Sequence, residues 1–414
     1  MTDVLDVAVI GGGASGLCNA VALKSLDKGL SVAIFEQLPR VGKKLITTGN
    51  GRCNITNKCI SISRFHSENP DFIDYALTYF DNMFIESFFA DLGVVFTYEG
   101  DKVYPYSLQA SSVVDALRFA ADKNGVITFL DSKVTDIKKE KDLYAIFVSG
   151  KKFLARAVVI AAGLFSGGEK LGSNGSIFKL LKDKGYKTVK TSPAIVQIKT
   201  DNKITKSLKG IKVNADVKLL KNGKEINADS GEVLFCDYGL SGPPVMQISR
   251  EISRQNADFK IVLDLMPEYS FQNVEDIITF RLSVLRGRSL ENFFTGMLNT
   301  RVGQQIIKMS GKKLSDNVDS ISKSDVKTLC KIIKGMEFSV TGTLGYDNSQ
   351  VTAGGLDTTQ FDDTTMMSKK DKGLFCIGEI LDVDGDCGGF NLNWAWASAI
   401  CAAYGAIAFL GDER

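Results

Sequence analysis

The chain has 414 residues, 44% of them hydrophobic and 24% charged, with a formal net charge of +2 and a single histidine, His66. That length predicts more than one domain, the near-neutral balance gives no reason to expect nucleic acid as a partner, and one histidine argues against both a Ser-His-Asp hydrolase and a multi-histidine metal centre, so no metal is expected. Eight scattered cysteines without a C-x-x-C pair, and a start (Met1-Thr-Asp-Val-Leu-Asp) without a basic n-region, point to a reducing, cytoplasmic setting.

Residues 5–10 are an apolar run of strand length, and residues 14–26 have helical periodicity. Gly11-Gly-Gly13-Ala14-Ser15-Gly16 lies between them. A second strand over 31–35 ends in Glu36 and Gln37. This is G-x-G-x-x-G between strand and helix, with an acid 20 positions after the last glycine. Gly11 permits the tight turn, Gly13 lets backbone approach a pyrophosphate, and Gly16 allows close helix–strand packing. The helix start offers free N–H groups to phosphates. Glu36 can accept hydrogen bonds from an adenosine ribose, and an acid there disfavours a 2′-phosphate.

Further along, Lys138-Lys-Glu-Lys141 reads as a solvated turn, and 157–163 as a returning buried strand. The pattern changes near Ser192. Strands are expected at 194–200, 211–220 and 231–236, with Asn222-Gly223 marking a hairpin. Helices are expected at 272–286 and 324–334, then a strand over 337–343. Residues 373–378 read as a strand ending in Gly378-Glu379, and a helix begins near Asn391. Residues 394–410 are nearly all apolar but rich in alanine, which predicts a buried helix rather than a membrane span. Asp382, Asp384 and Asp386 do not match a calcium loop. An N-terminal dinucleotide turn and a glycine-rich closing segment together suit FAD. An acid can meet its ribityl–pyrophosphate part, and a helix start can face the flavin N1/C2 edge.

Several motifs then carry a resemblance. They are Gly42-Lys-Lys-Leu-Ile-Thr-Thr-Gly-Asn-Gly-Arg-Cys-Asn-Ile-Thr-Asn57, Gly100-Asp-Lys-Val-Tyr-Pro-Tyr-Ser, Tyr238-Gly-Leu-Ser-Gly-Pro243, Gln350-Val-Thr-Ala-Gly-Gly355, and Gly378-Glu-Ile-Leu-Asp-Val-Asp-Gly with Gly388-Gly-Phe-Asn-Leu-Asn-Trp-Ala395. In this order they resemble the BaiN/YhiN-like NAD(P)/FAD-dependent oxidoreductases, which include proteins named aminoacetone oxidases. The resemblance spans essentially the whole chain. It implies an α/β fold, with a Rossmann-like FAD-binding domain formed by both chain ends (1–191 and 344–414). The inserted domain is 192–343: a β-barrel over about 192–265 and 336–343, plus a helical part over about 266–335.

The implied FAD contacts begin with Gly11, Gly13, Ala14, Ser15, Gly16, Glu36 and Gln37. The 42–57 loop adds Lys43, Lys44, Arg52, Cys53 and Asn54, with Val134 from the strand that meets the adenine. Ala162, Gly163, Gly378, Glu379, Asp382, Gly389, Asn391 and Leu392 complete the set. Asn54 and Asn57 can equally serve only to tie their loop, and Cys53 is expected to pack. His66 is expected at the surface. The chain departs from the family pattern at Cys236-Asp237, where members carry Thr-His, and in the segment 164–175.

The expected reaction is an FAD-dependent oxidation–reduction of a small organic substrate. No second G-x-G-x-x-G follows a strand, so NADH or NADPH would reduce the flavin from a transient position. An oxygen-using oxidase of the aminoacetone type is the alternative. A flavoprotein linked to tRNA modification is a second one, suggested by Lys203, Lys206, Lys209, Lys212, Lys218, Lys221 and Lys224. The expected partner is a small molecule, with neither nucleic acid nor membrane. Asp237, Tyr238 and Glu379 are candidates for proton transfer, beside the flavin and water, and the substrate is not legible.

Overall fold

A computed structural model describes residues 4–412 with the exception of Asn256. The chain divides into two compact units, one made of Ala194–Gly345 and one made of the stretches on either side of it.

The first stretch opens with β1 (Leu5–Ile10), α1 (Ala14–Leu26) and β2 (Val32–Phe35). It continues with β3 (Thr56–Asn57), β4 (Phe65–His66), α2 (Asp74–Tyr79), α3 (Asn82–Asp91), β5 (Phe96–Glu99) and β6 (Lys102–Pro105). Then come α4 (Ala110–Lys123), β7 (Ile127–Phe129), β8 (Val134–Glu140), β9 (Leu143–Val148), β10 (Lys151–Ile160), α5 (Ser176–Asp183) and β11 (Thr188–Ala194).

β1, β2, β7 and the end of β10 are parallel, and β8 and β9 pair antiparallel to extend the sheet, in the order β7-β2-β1-β10-β9-β8. Val7–Ile10 of β1 and all of β2 are buried on both faces, so they read as unbroken apolar runs. The reading of 138–141 as a turn is corrected. Lys138 to Glu140 are strand, and only Lys141, at φ +53°, begins the turn. Val134 and Ile137 are the buried positions of β8, while Lys138, Lys139 and Glu140 stand in solvent. β10 likewise starts at Lys151, six residues before its apolar part, because β9 supplies hydrogen bonds to that polar half.

The inserted unit holds β12 (Ile198–Thr200), α6 (Asn202–Ser207), β13 (Lys212–Lys221), β14 (Lys224–Phe235) and β15 (Gly239–Ser241). It goes on with α7 (Pro243–Gln247), α8 (Ser249–Arg254), β16 (Phe259–Asp264), α9 (Phe271–Val284), α10 (Thr300–Met309), α11 (Lys323–Lys334) and β17 (Met336–Thr343). Its six strands close a barrel in the order β12-β15-β14-β13-β16-β17, which leaves no sheet edge to cover. Val217, Leu219, Val233, Phe235, Ile261, Leu263 and Phe338 fill it. Asn222 and Gly223 both have positive φ, 50° and 79°, as a two-residue hairpin turn requires. The three longest helices pack their apolar stripes together, and Ser270 and Ser322 start α9 and α11 with capping boxes.

The returning stretch supplies β18 (Val351–Leu356), β19 (Leu374–Cys376), β20 (Asp384–Gly385) and α12 (Phe390–Asp412). β19 becomes the seventh strand of the main sheet by pairing with the end of β10. α12 is long and apolar enough to cross a membrane, but 72% of its most apolar window is buried within the fold. It packs on α1, where the buried Asn19 Nδ2 donates to Ala399 O at 2.8 Å. Trp394 Nε1 donates to Gly378 O at 3.2 Å and Trp396 Nε1 to Ile55 O at 3.0 Å, so the indoles lose no hydrogen bond on burial.

Candidate functional site

The three fingerprint glycines have different reasons to be glycine. A Cβ on Gly11, whose φ is +107°, would lie 2.6 Å from Ala161 O. A Cβ on Gly16 would lie 1.9 Å from Gly11 O. Packing of α1 against β1 and β10 therefore demands both. Gly13 has an ordinary φ of −80°, and a Cβ there would meet nothing within 4 Å. Nothing among the described residues needs glycine at that position, which leaves the backbone there open to the approach of a ligand. Leu17 N bonds Gly13 O at 3.0 Å, which leaves the preceding N–H groups of Ala14, Ser15 and Gly16 without intrahelical partners. An open face, free N–H groups and a helix start together fit a diphosphate.

Glu36 sits behind this turn. Its two carboxylate oxygens accept from Gly12 N and Leu38 N, both at 2.8 Å. Burial pushes its carboxyl up, against the pull of the Leu38, Gly12 and Gln37 N–H groups. Each oxygen keeps a lone pair for a hydroxyl. Gln37 Nε2 donates to Gly172 O at 2.6 Å, and Asn174 Nδ2 donates to Gln37 Oε1 at 3.1 Å, so the segment after Gly163 is drawn to the end of β2.

Four separate segments meet at Glu379. Lys44 Nζ lies 2.5 Å from Glu379 Oε2, and Thr352 N donates to Glu379 Oε1 at 2.8 Å. Ser166 bridges the pair, donating to Glu379 Oε1 and accepting from Lys44. Thr352 Oγ1 in turn accepts from Ser166 N at 3.1 Å. The sequence names Lys44 and Glu379 but misses Ser166 and Thr352. Gly163 borders the cluster: a Cβ there would stand 3.6 Å from Glu379 Oε2. Ala162 is half-buried beside it.

The rest of the 42–57 loop sorts into three roles. The Lys43 side chain has no polar partner among the described residues. Arg52 turns away to Glu99, at 2.7 Å, and stacks over Tyr104 at 4.6 Å, so it ties the loop to the β5–β6 hairpin through its side chain. Cys53 is fully buried, and burial pushes its thiol up to about 12, which leaves only its backbone for binding. Asn57 Nδ2 donates to Gly388 O at 2.9 Å and ties the loop to the start of α12. Asn54 Oδ1 is buried with no hydrogen-bond partner among the described residues, and it lies where a Cβ on Gly389 would come within 2.9 Å. An orphaned buried acceptor at a helix start fits a ligand N–H or O–H.

Asn391 closes the 385–386 turn, accepting from Gly385 N at 2.8 Å and donating to Gly385 O at 2.6 Å. Leu392, half-buried, follows in the first turn of α12. Asp382 is buried and accepts from Glu68 N at 2.9 Å. Val134 is buried at the start of β8. His66 is not a bare surface residue. Its Nε2 is 3.0 Å from Asp386 Oδ1, and Arg64 Nε is 3.1 Å from Asp386 Oδ2. β4 pairs with β20, and that pairing brings His66 to Asp384.

In the inserted unit, Asp237 is exposed and paired with Lys209 at 2.5 Å, which holds its carboxyl below the usual range. Tyr238 is half-buried, and burial together with the hydrogen bond its hydroxyl donates to Cys236 pushes its phenol far up. Of the two, only Tyr238 keeps a proton to give near neutral pH.

A family model described as the HI0933-like protein Rossmann domain matches residues 5–405. The chain belongs to that family. It is 32% identical to the 3-dehydro-bile acid delta(4,6)-reductase of Clostridium scindens, over 97% of this chain and 98% of that one. It is 30% identical to the ribosomal RNA dihydrouridine synthase of Haemophilus influenzae, with the same coverage. Among solved structures it is similar in fold to 3-ketosteroid delta1-dehydrogenase of Sterolibacterium denitrificans. The TM-score is 0.51 at 14% identity, over 98% of this chain and 100% of that one. This HI0933-like chain is an enzyme, a flavin-dependent oxidoreductase of α/β Rossmann type with a closed β-barrel insert.

Proposed function

We propose that this chain is an FAD-dependent reductase of a carbon–carbon double bond next to a carbonyl, with NADH or NADPH donating electrons from a transient position. The observation that carries FAD is Gly13: a glycine no internal packing requires, at the open start of α1. The names of the two curated relatives given above support the direction of reaction. One names a reductase of delta(4,6) bonds, the other a synthase of dihydrouridine, and both describe hydrogen added across a ring double bond.

In this reading the N–H groups of Ala14, Ser15 and Gly16 bind the diphosphate, and Glu36 takes ribose hydroxyls through its remaining lone pairs. Asn54 Oδ1 accepts the cofactor's N–H or O–H. Lys44, Ser166 and Glu379 fix the 42–57 loop against the segments of Ser166 and Thr352. Bound FAD supplies the hydride chemistry, which no side chain here can carry.

The test is anaerobic titration of the purified yellow protein. NADH or NADPH should bleach the flavin band, and an enone should restore it. If neither nicotinamide bleaches it, while a small amine does and air then yields peroxide, the oxidase reading replaces this one.

A further inference from the structure

The lysines that suggest nucleic acid in the sequence are the wrong ones. Lys209, Lys212 and Lys218 are paired with Asp237, Glu232 and Glu225 at 2.5, 2.9 and 3.0 Å. Lys203 and Lys206 lie on α6, and Lys221 and Lys224 flank the hairpin turn, so these four form no stripe. Positive charge gathers instead in the helical part. Residues 266–335 hold eleven Lys and Arg against seven Asp and Glu.

The arrangement on α11 is specific. Lys323, Lys327 and Lys331 recur every four residues, all exposed, with no acidic partner among the described residues. At 1.5 Å per residue they stand about 6 Å apart along the axis and span about 12 Å. The one acid on the helix, Asp325, is already held by Lys312 at 2.8 Å. That contact also brings the segment of the exposed, unpaired Lys313 beside the first turn. Lys334 is neutralised by Asp264 at 2.6 Å. The face next to the lysines carries the exposed hydroxyls of Ser324 and Thr328. The apolar residues Val326, Leu329, Cys330 and Ile333 are all buried in the unit.

We infer that this outward face of α11 docks the phosphate backbone of a structured RNA. Unpaired lysines at regular rise, interleaved with hydroxyls, are what backbone positioning uses. A membrane-surface helix would instead need apolar side chains beside its basic face, and α11 has buried its own. The inference goes beyond the reductase reading and can fail separately from it. Nicotinamide reduction of the flavin is measured without RNA.

The experiment uses the full-length holoprotein and a fluorescent RNA hairpin of about 30 nucleotides, read by anisotropy across a salt series. Each lost phosphate contact lowers the slope of log K against log salt by about 0.7–0.9. The variant K323Q/K327Q/K331Q should bind at least tenfold more weakly near 0.1 M salt, and its slope should fall by about 2. The barrel variant K209Q/K212Q/K218Q should stay within twofold of the parent. Unchanged circular dichroism and flavin reduction would show that the α11 variant is folded. No binding by the parent, an α11 variant that binds equally well, or loss of binding only in the barrel variant would each overturn the inference. Parent binding to phosphatidylglycerol vesicles but not to the hairpin would overturn it in favour of a membrane.

Discussion

Replacing Gly13 with alanine separates a cofactor's needs from the fold's. The new methyl meets nothing within 4 Å, and φ is −80°. Alanine is a poor helix N-cap, at a cost of about 0.5–1 kcal/mol, and it stiffens the unfolded chain by about 0.4–1 kcal/mol. The two nearly cancel, so thermal unfolding of the FAD-free protein should shift by no more than about 2–3 °C. On the open side, in the proposed FAD reading, the methyl would stand in the path of a phosphate. Losing one hydrogen bond to a charged oxygen costs about 1.5–3 kcal/mol, a factor of roughly 10–150 in Kd. Gly16→Ala is the contrast. Its methyl would sit 1.9 Å from Gly11 O, so the helix must shift at about 1–3 kcal/mol or more, with or without FAD. Calorimetric FAD binding and unfolding of the FAD-free protein read the two effects. The reasoning fails if G13A keeps parental FAD affinity, or if it loses as much FAD-free stability as G16A.

Other outcomes follow from particular contacts. K44M strands the Glu379 carboxylate, which is only about a fifth exposed, and should cost about 1–2 kcal/mol in chemical denaturation. Adding E379Q should restore part of that loss. Asp325 titrates at about 2 because of Lys312 and Ser322, below an ordinary value of 3.8. Its contribution is therefore complete above about pH 4 and lost as pH falls through about 2. D325N should be destabilised by about 1 kcal/mol at pH 7, after solvent screening, and should converge on the parent near pH 2. Among thiols, the exposed Cys59 should be alkylated first in the native protein. The buried Cys18, Cys53 and Cys376 should react only on unfolding, as peptide mass mapping would show.

The dinucleotide turn and the Asn222-Gly223 hairpin were legible because each is decided within a few residues. Positive φ or a close approach selects the side chain on the spot. The Glu379 cluster was only half legible. Ser166 and Thr352 become partners through sheet topology, far from Glu379 in sequence. Nothing local marks a serine or a threonine for that role. α10 was missed although Asn299 caps it and Val302, Ile306 and Ile307 mark its buried face. The first half of β14 carries no apolar alternation, and its pairing with β13 alone makes it strand. Charge failed in a different way: the sequence shows where lysines are dense, but only the fold shows which are neutralised.

The pairing of β19 with β10 fixes an order of events during synthesis. The end of β10, Val158–Ile160, is made early, but its second neighbour, Leu374–Cys376, follows more than 200 residues later. At about 5–20 residues per second, that edge stays open for roughly 10–40 s on the ribosome. The helix that buries α1 emerges later still. The barrel unit can close in that interval, while the nucleotide-binding unit waits with an apolar strand edge exposed. A nascent chain stalled before Leu374 is therefore the form of this protein most in need of a chaperone, and a chain truncated there would lack the strand and the helix that complete its main sheet.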